Sequence, residues 1–454
     1  MKTAARLGVA IVCGAGLAQA AGVTQDTYKG WPSLALTNGL VKVQAVPSIG
    51  GRVIQYALGG FEYLWVDPQL AGTPPSPTGL AEDGGWLNYG GDKLWPAPQG
   101  WDNDRQWPGP PDAVLDGGPY TGVIATPAGP AAAIRLTSRE DARSGIRFSR
   151  VITVFDHSTR VKFDTTMKNI DTKPRRWGIW QVTQLDATSR GGAGYNTEMR
   201  CYSPLNPNSV HPRGYAETFG LVNNPSFRAD VSTGMAVAHY RRIVGKMGVD
   251  NVAGWIATVD GASGHVFVQR FATWPDKPYP DNTTATFWMN GAGQFVCGTN
   301  IITSKDDPAS TPHLVESEVI SPYASLAPGQ SYAFENNWYA ARIGGNYPVL
   351  DCKAAGVVCQ PLAAARAGGS VRLTGRFGVF HEGSALLVCR SPSGEDCGTI
   401  GRAMPVTPRE PLALASDETL PAGAATVALV VRDASGAAVG ELAHAEVTTP
   451  AKNQ

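Results

Sequence analysis

The chain has 454 residues, 43% of them apolar and only 17% charged, with 53 glycines and 34 prolines. That length suggests two or three domains, and the glycine and proline content marks a turn-rich, strand-rich protein rather than a helical one. The formal net charge is zero. No basic patch is present, which excludes nucleic acid and anionic membrane surfaces as natural partners.

The first residues, MKTAARLGVAIVCGAGLAQAAG, read as a secretory leader. Lys2 and Arg6 precede an apolar run from Leu7 to Leu17, and Ala18-Gln19-Ala20 forms a small-x-small cleavage site. The run is too short to cross a bilayer and no other candidate follows, so the expectation is a periplasmic or extracellular protein that is not integral to the membrane. Cleavage is expected after Ala20 or Ala21, and residues 1–21 are taken as the leader.

Short strands follow. Leu34 to Leu36, a Thr37-Asn38-Gly39 turn and Leu40 to Val46 make a hairpin signature. Pro47 to Arg52 (PSIGGR) turns again and Val53 to Leu58 returns. From Glu82 to Pro110 the chain carries Trp86, Trp95, Trp101 and Trp107, four of its 12 tryptophans, among Asp92, Lys93 and other polar residues. Glycine and proline break any period there, so the stretch is read as loop. Flat aromatic faces beside planar polar groups suit a sugar, which offers an apolar C–H face and a rim of hydroxyls. Tyr89, Asp92, Lys93, Trp95, Trp101 and Gln181 are the predicted ligand contacts.

Beyond this stretch, strands recur at regular spacing: Gly145 to Phe155, Val161 to Asn169, the apolar Trp177 to Leu185 with Gln181 and Gln184, then several more through Leu314 to Ile320 and Tyr332 to Ala341. No amphipathic helix of useful length is legible between residues 30 and 342. So many strands exceed an ordinary immunoglobulin-like sandwich and fit a large two-sheet one. Composition shifts at Gly344 to Pro348, and residues 350–448 read as a second, smaller β-sandwich.

Six cysteines follow the leader: Cys201, Cys297, Cys352, Cys359, Cys389 and Cys397. An even count in an exported chain predicts disulfides, with Cys352/Cys359 and Cys389/Cys397 as local bridges and Cys201 left to Cys297. No motif calls for a cofactor or a metal.

Taken in order, Leu36-Thr37-Asn38-Gly39-Leu40 and Val46-Pro47-Ser48-Ile49-Gly50-Gly51-Arg52 resemble the opening of galactose mutarotase-like (aldose 1-epimerase-like) proteins. Leu314 to Glu318 and Leu326-Ala327-Pro328-Gly329-Gln330 are similar to their closing strand and turn, and Asn169 ahead of Trp177 to Leu185 stands where they carry a central binding-site strand. Asn88 to Gln99 (NYGGDKLWPAPQ) is similar to a signature of a secreted bacterial branch. The resemblance covers residues 31–342 and implies an all-β supersandwich over residues 22–343 that holds a sugar in its cleft. It also implies a glutamate that takes the anomeric hydroxyl proton and a histidine that protonates the ring oxygen. The glutamate carries over to Glu316, with Glu318 on the same strand face. The central strand has no histidine; His211 is the remaining candidate.

The sequence therefore leaves two classes open. One is an enzyme on saccharides, an epimerase or a lyase or hydrolase with Glu316 or Glu318 as base. The other is a non-catalytic glycan-binding or envelope interaction protein.

Overall fold

The computed structural model describes residues 20–192, 194–367 and 370–448. The predicted leader lies outside them except for Ala20 and Ala21.

Two large sheets pack face to face. In the first, strands run in the spatial order Ala216–Gly220, Gly245–Val249, Ala285–Met289, Leu314–Ile320, Arg175–Asp186, Asp92–Ala97, Arg52–Leu58, Val41–Val46, Trp31–Thr37 and Ala21–Tyr28. The second holds ten strands, with His265–Phe271 and Ser331–Arg342 at its centre and Val161–Asn169 and Ile146–Phe155 next in order. Ile146–Phe155 and Val161–Asn169 alternate strictly between buried and half-buried positions, the pattern of strands with one face in a core. Arg175–Asp186 is buried on both faces over most of its length, because one face meets the second sheet and the other lies under a roof of loops. Among the described residues the sole helical element is a 3-10 turn, Pro280–Asn282.

The early turns are built as their sequences require. Asn38 Oδ1 accepts the Leu40 and Val41 amides at 3.0 and 2.9 Å, and Gly39 takes a φ of 81°. Gly50 and Gly51 both have positive φ, and a Cβ on Gly50 would lie 1.8 Å from the Asp116 carbonyl oxygen. That close approach delivers Arg52 to Asp116, with Nη2 2.9 Å from Oδ1 and both side chains buried.

The Trp-rich stretch is not all loop. Asp92–Ala97 is a fully buried strand in the middle of the first sheet. Pro96 is compatible because the strand is paired along its length only with Arg175–Asp186, while Arg52–Leu58 meets it at Asp92 alone.

The C-terminal residues form one sheet of eight strands from Asp351–Lys353 to Ala438–Thr448. It surrounds its own apolar core, which includes Leu373, Phe377, Leu387, Leu429 and Leu442. A further buried cluster joins it to the second sheet of the supersandwich, where Tyr339 stacks on Phe380 at 4.5 Å.

The expected disulfides are not formed: the six cysteines are free. Cys201 sits inside the supersandwich, where the Thr258 hydroxyl donates to its sulfur and burial pushes the thiol up to about 12. Cys297 lies on a hairpin beyond the other sheet, out of its reach. In the C-terminal domain Cys352 faces Val357, two residues short of Cys359, and Cys397 lies in a β-bulge beside Cys389, its thiol free.

Candidate functional site

The outer face of the first sheet forms the floor of a cleft of about 950 Å³. Strand register explains its composition. Gln184 and Glu316 are direct cross-strand partners, as are Glu316 and Trp288, and Trp180 and Trp95. Period two then puts Lys93, Trp95, Trp180, Gln184, Glu316, Glu318 and Trp288 on one face. Loops supply the walls: Trp65, Trp86 and Trp101 on one side, Phe295 and Ile302 of the Gly293–Cys297/Asn300–Ser304 hairpin on the other. Trp101 is 36% exposed, and a Cβ on Gly298 at the hairpin tip would lie 3.2 Å from its ring.

Three of the cleft tryptophans, and Trp107 packed behind Trp95, are held by their indole N–H groups. Trp86 and Trp95 donate to Asp116 at 2.7 and 2.9 Å, Trp180 to Glu318 at 2.7 Å, and Trp107 to Asp112 at 3.2 Å. Each donor is satisfied by a carboxylate, which leaves apolar ring surface for the cleft.

At the centre stands Glu316, 8% exposed. Its Oε1 accepts Lys93 Nζ at 3.3 Å and Gln184 Nε2 at 2.8 Å. Among the described residues its Oε2 receives no hydrogen bond. Lys93 is fully buried beneath Trp95 and Trp86, with Nζ 4.8 and 5.7 Å from their ring centroids. Burial holds its ammonium below the usual lysine range, opposed by the Glu316 charge. Glu318 lies under the floor, bound by Lys246 at 3.0 Å, Thr286 at 2.6 Å and Trp180. Burial raises its carboxyl, with Lys246 opposing, and its Oε1 has no partner among the described residues. Two further buried acceptors on cleft-lining residues are unpartnered, Gln184 Oε1 and Asn88 Oδ1.

His313 also lines the cleft, three residues ahead of Glu316. Arg242 Nη1 donates to its Nδ1 at 2.8 Å, which places the ring proton on Nε2. Burial, and then Arg242, holds the imidazole below its usual range, hence neutral near pH 7.

Of the predicted contacts, Trp95, Trp101, Glu316 and the floor residue Lys93 come together here. Asp92 and Gln181 do not. They project to the opposite face, into the space between the sheets. There Arg150 Nη1 lies 2.5 Å from Asp92 Oδ2, while Thr183 and Gln181 donate to Oδ1. Asn336 in turn donates to Gln181 at 3.1 Å. Tyr89 is buried edge-on against Trp31 at 5.7 Å and is no cleft residue. His211 lies in a separate basin, where its Nε2 meets the Asn282 carbonyl at 3.1 Å. His313 and Asp116 were missed. For His313 a spacing of three residues before Glu316 was the available signal; a lone aspartate in a loop gives none.

An all-β supersandwich with an aromatic cleft over a carboxylate is thus the class of protein that fold and site define. Residues 32–341 match the family described as "Domain of unknown function (DUF4380)", and the chain belongs to that family. Galactose mutarotase-like proteins are among the solved structures it is similar to. One from Clostridium acetobutylicum is 10% identical over 71% of this chain and 99% of that chain, with a TM-score of 0.42. One from Lactobacillus casei is 11% identical over 68% and 99%, with a TM-score of 0.41. A TPR-domain containing protein from Parabacteroides distasonis is 13% identical with a TM-score of 0.45; 70% of this chain is covered, but the match spans only 48% of that protein. No curated protein matches the chain.

Proposed function

We propose that the cleft binds a saccharide and that Glu316 exchanges a proton with it. The observation that carries this reading is the convergence of tryptophan faces on one partly exposed carboxylate with a free oxygen. The chemistry supported best is anomeric proton transfer, as the mutarotase resemblance implies. Glu316 Oε2 takes the hydroxyl proton, and the neutral ring of His313 presents Nε2–H toward the ring oxygen.

Two-carboxylate glycoside hydrolysis fits less well, because Glu318 is sealed beneath Trp180 and cannot flank a bond in the cleft together with Glu316. That same sealing favours a non-catalytic glycan binder as the second reading. Export is part of the proposal. The first strand begins at Ala21, whose buried amide meets the Asp156 carboxylate, so cleavage after Ala20 would set a new α-ammonium on that carboxylate.

Proton NMR of the anomeric region tests the reading, using freshly dissolved α-glucose, α-galactose and acidic oligosaccharides with wild type and Glu316→Gln. Anomer exchange accelerated by wild type and lost in the variant is the expected result. Line broadening without conversion, equal in both proteins, would establish the binder instead. Unchanged spectra across the panel would overturn saccharide binding itself.

A further inference from the structure

We infer that Arg242 is a positioning residue for His313: it takes up the Nδ1 lone pair and so fixes the ring with its one proton on Nε2, facing the cleft. This rests on the proton-transfer reading and adds to it the group that sets the acid.

Arg242 reaches three acceptors with two of its nitrogens. Its Nε donates to Asp306 Oδ1 at 2.7 Å, and its Nη1 donates to the Thr311 carbonyl and to His313 Nδ1, both at 2.8 Å. A guanidinium has donors only and keeps its protons across the physiological range. The nitrogen that faces it must therefore be the bare one of a neutral ring. His313 is held at its backbone as well, since the Ala187 amide donates to its carbonyl oxygen at 3.0 Å. The ring is thus set in place and in tautomer. Among the described residues its Nε2 has no hydrogen-bond partner.

The backbone is shaped to deliver this side chain. Arg242 has a φ of 57°, a conformation that residues with a Cβ seldom adopt. Gly291 makes room for it, because a Cβ there would lie 2.2 Å from the Arg242 carbonyl carbon. The Ala292 amide donates to the Arg242 carbonyl and the Val244 amide to that of Ala292, each at 2.9 Å. The bend brings the buried guanidinium to residues 306–313, of which Pro308 to His313 line the cleft. Bracing that wall needs only a donor to the Thr311 carbonyl. The contact with Nδ1 goes further and acts on a titratable ring. The charged groups that face this ring are Arg242 and, more weakly, Asp186 and Asp306, with the Tyr195 ring 6.0 Å away. Burial and Arg242 disfavour the imidazolium, and the two aspartates favour it.

The test is imidazole nitrogen NMR of the isotope-labelled full chain from about pH 5 to about pH 8, with the His313 signals assigned through His313→Gln. Wild type is expected to show the His313 proton on Nε2, a bare Nδ1 and titration below the usual imidazole range. Arg242→Met should populate both tautomers and raise the proton affinity of the ring about tenfold, the effect of removing a like charge in contact with it. The same variant should slow anomer exchange of α-glucose or α-galactose by about tenfold or more, with KM within about twofold, because proton donation rather than binding is lost. A wild-type His313 protonated on Nδ1 would overturn the inference even if Arg242→Met failed to fold. So would a folded Arg242→Met with unchanged tautomer and titration, the result expected of an arginine that only braces the wall. The predicted tautomer, lost in Arg242→Met, in a wild-type protein that exchanges no anomer would uphold the hold of Arg242 on His313 and overturn the proton-transfer reading instead.

Discussion

Removing either partner of the Lys93–Glu316 pair should have unequal consequences. At 3.3 Å, an effective dielectric of about 20 gives ~5 kcal/mol of attraction. The Trp95 and Trp86 rings add ~0.5–2 kcal/mol each. Against this stands a desolvation penalty of several kcal/mol for a fully buried ammonium. The terms nearly cancel, so Lys93→Met should change stability by no more than about 2 kcal/mol, since Glu316 keeps Gln184 and the cleft solvent. Glu316→Gln instead strands a buried ammonium and should cost about 3–5 kcal/mol at neutral pH. The loss depends on pH with a definite sign. Lys93 titrates below 10.5 in the folded chain, and lower still without Glu316. Between that value and 10.5 the unfolded chain binds more protons than the native one, so stability rises with pH. The Glu316→Gln deficit should therefore narrow from about pH 7 to about pH 9.5, and the Lys93→Met/Glu316→Gln double variant should lack this trend. Urea unfolding at both pH values, with an unchanged m-value, measures it. A Lys93→Met loss larger than that of Glu316→Gln, or a deficit indifferent to pH, would refute the reasoning.

Asp92→Ala should lose about 3–5 kcal/mol in the same assay by leaving Arg150 unpaired between the sheets; unchanged stability with weakened sugar affinity would instead return Asp92 to the cleft. Glu318 titrates above 4.5 in the folded chain, so the native state binds more protons just above that pH and stability falls as pH rises; Glu318→Gln should flatten this slope, which a urea series across that range reads directly. His313→Gln should abolish anomer exchange while titration calorimetry still shows sugar binding, and loss of both together would make His313 a structural residue. Intact-mass analysis of exported protein should place the first residue at Ala21, with Asp156→Asn lowering the melting temperature of that form.

Much of the fold was legible because its signals are local. Alternation exposed Ile146–Phe155 and Val161–Asn169, and Asn38-Gly39 and Gly50-Gly51 mark turns that need positive φ. Asp92–Ala97 was hidden because Pro96 and its glycine-rich flanks read as loop, and only pairing with Arg175–Asp186 makes it a strand. Facing residues were harder still. Adjacent strand residues always point to opposite sides, so Asp92 and Lys93 could not both reach a ligand, yet nothing local says which one does. Glu316 and Glu318 do share a face; the Trp180 indole, placed by another strand, decides that only Glu316 meets the cleft. Cysteine count alone gives no pairing: Cys201 and Cys297 are placed on separate sheets by tertiary structure, which no local signal shows.

The floor of the cleft argues against a mere apolar docking groove. Two lysine–glutamate pairs lie there almost without solvent, and each ammonium sits against an indole: Lys93 at 4.8 Å from Trp95 and Lys246 at 4.4 Å from Trp180. Hydrophobic residues of the same volume would be as stable or more so, and would serve a protein partner equally well. What the charged pairs add is orientation. Glu316 is fixed through one oxygen by Lys93 and Gln184, with the other left open, and Trp180 is pinned to Glu318, which is itself fixed by Lys246 and Thr286. Such a supporting shell is what a carboxylate needs to meet one hydroxyl in one geometry. It has no use in a surface that only has to exclude water, which is why proton transfer to a bound sugar is the reading these pairs favour.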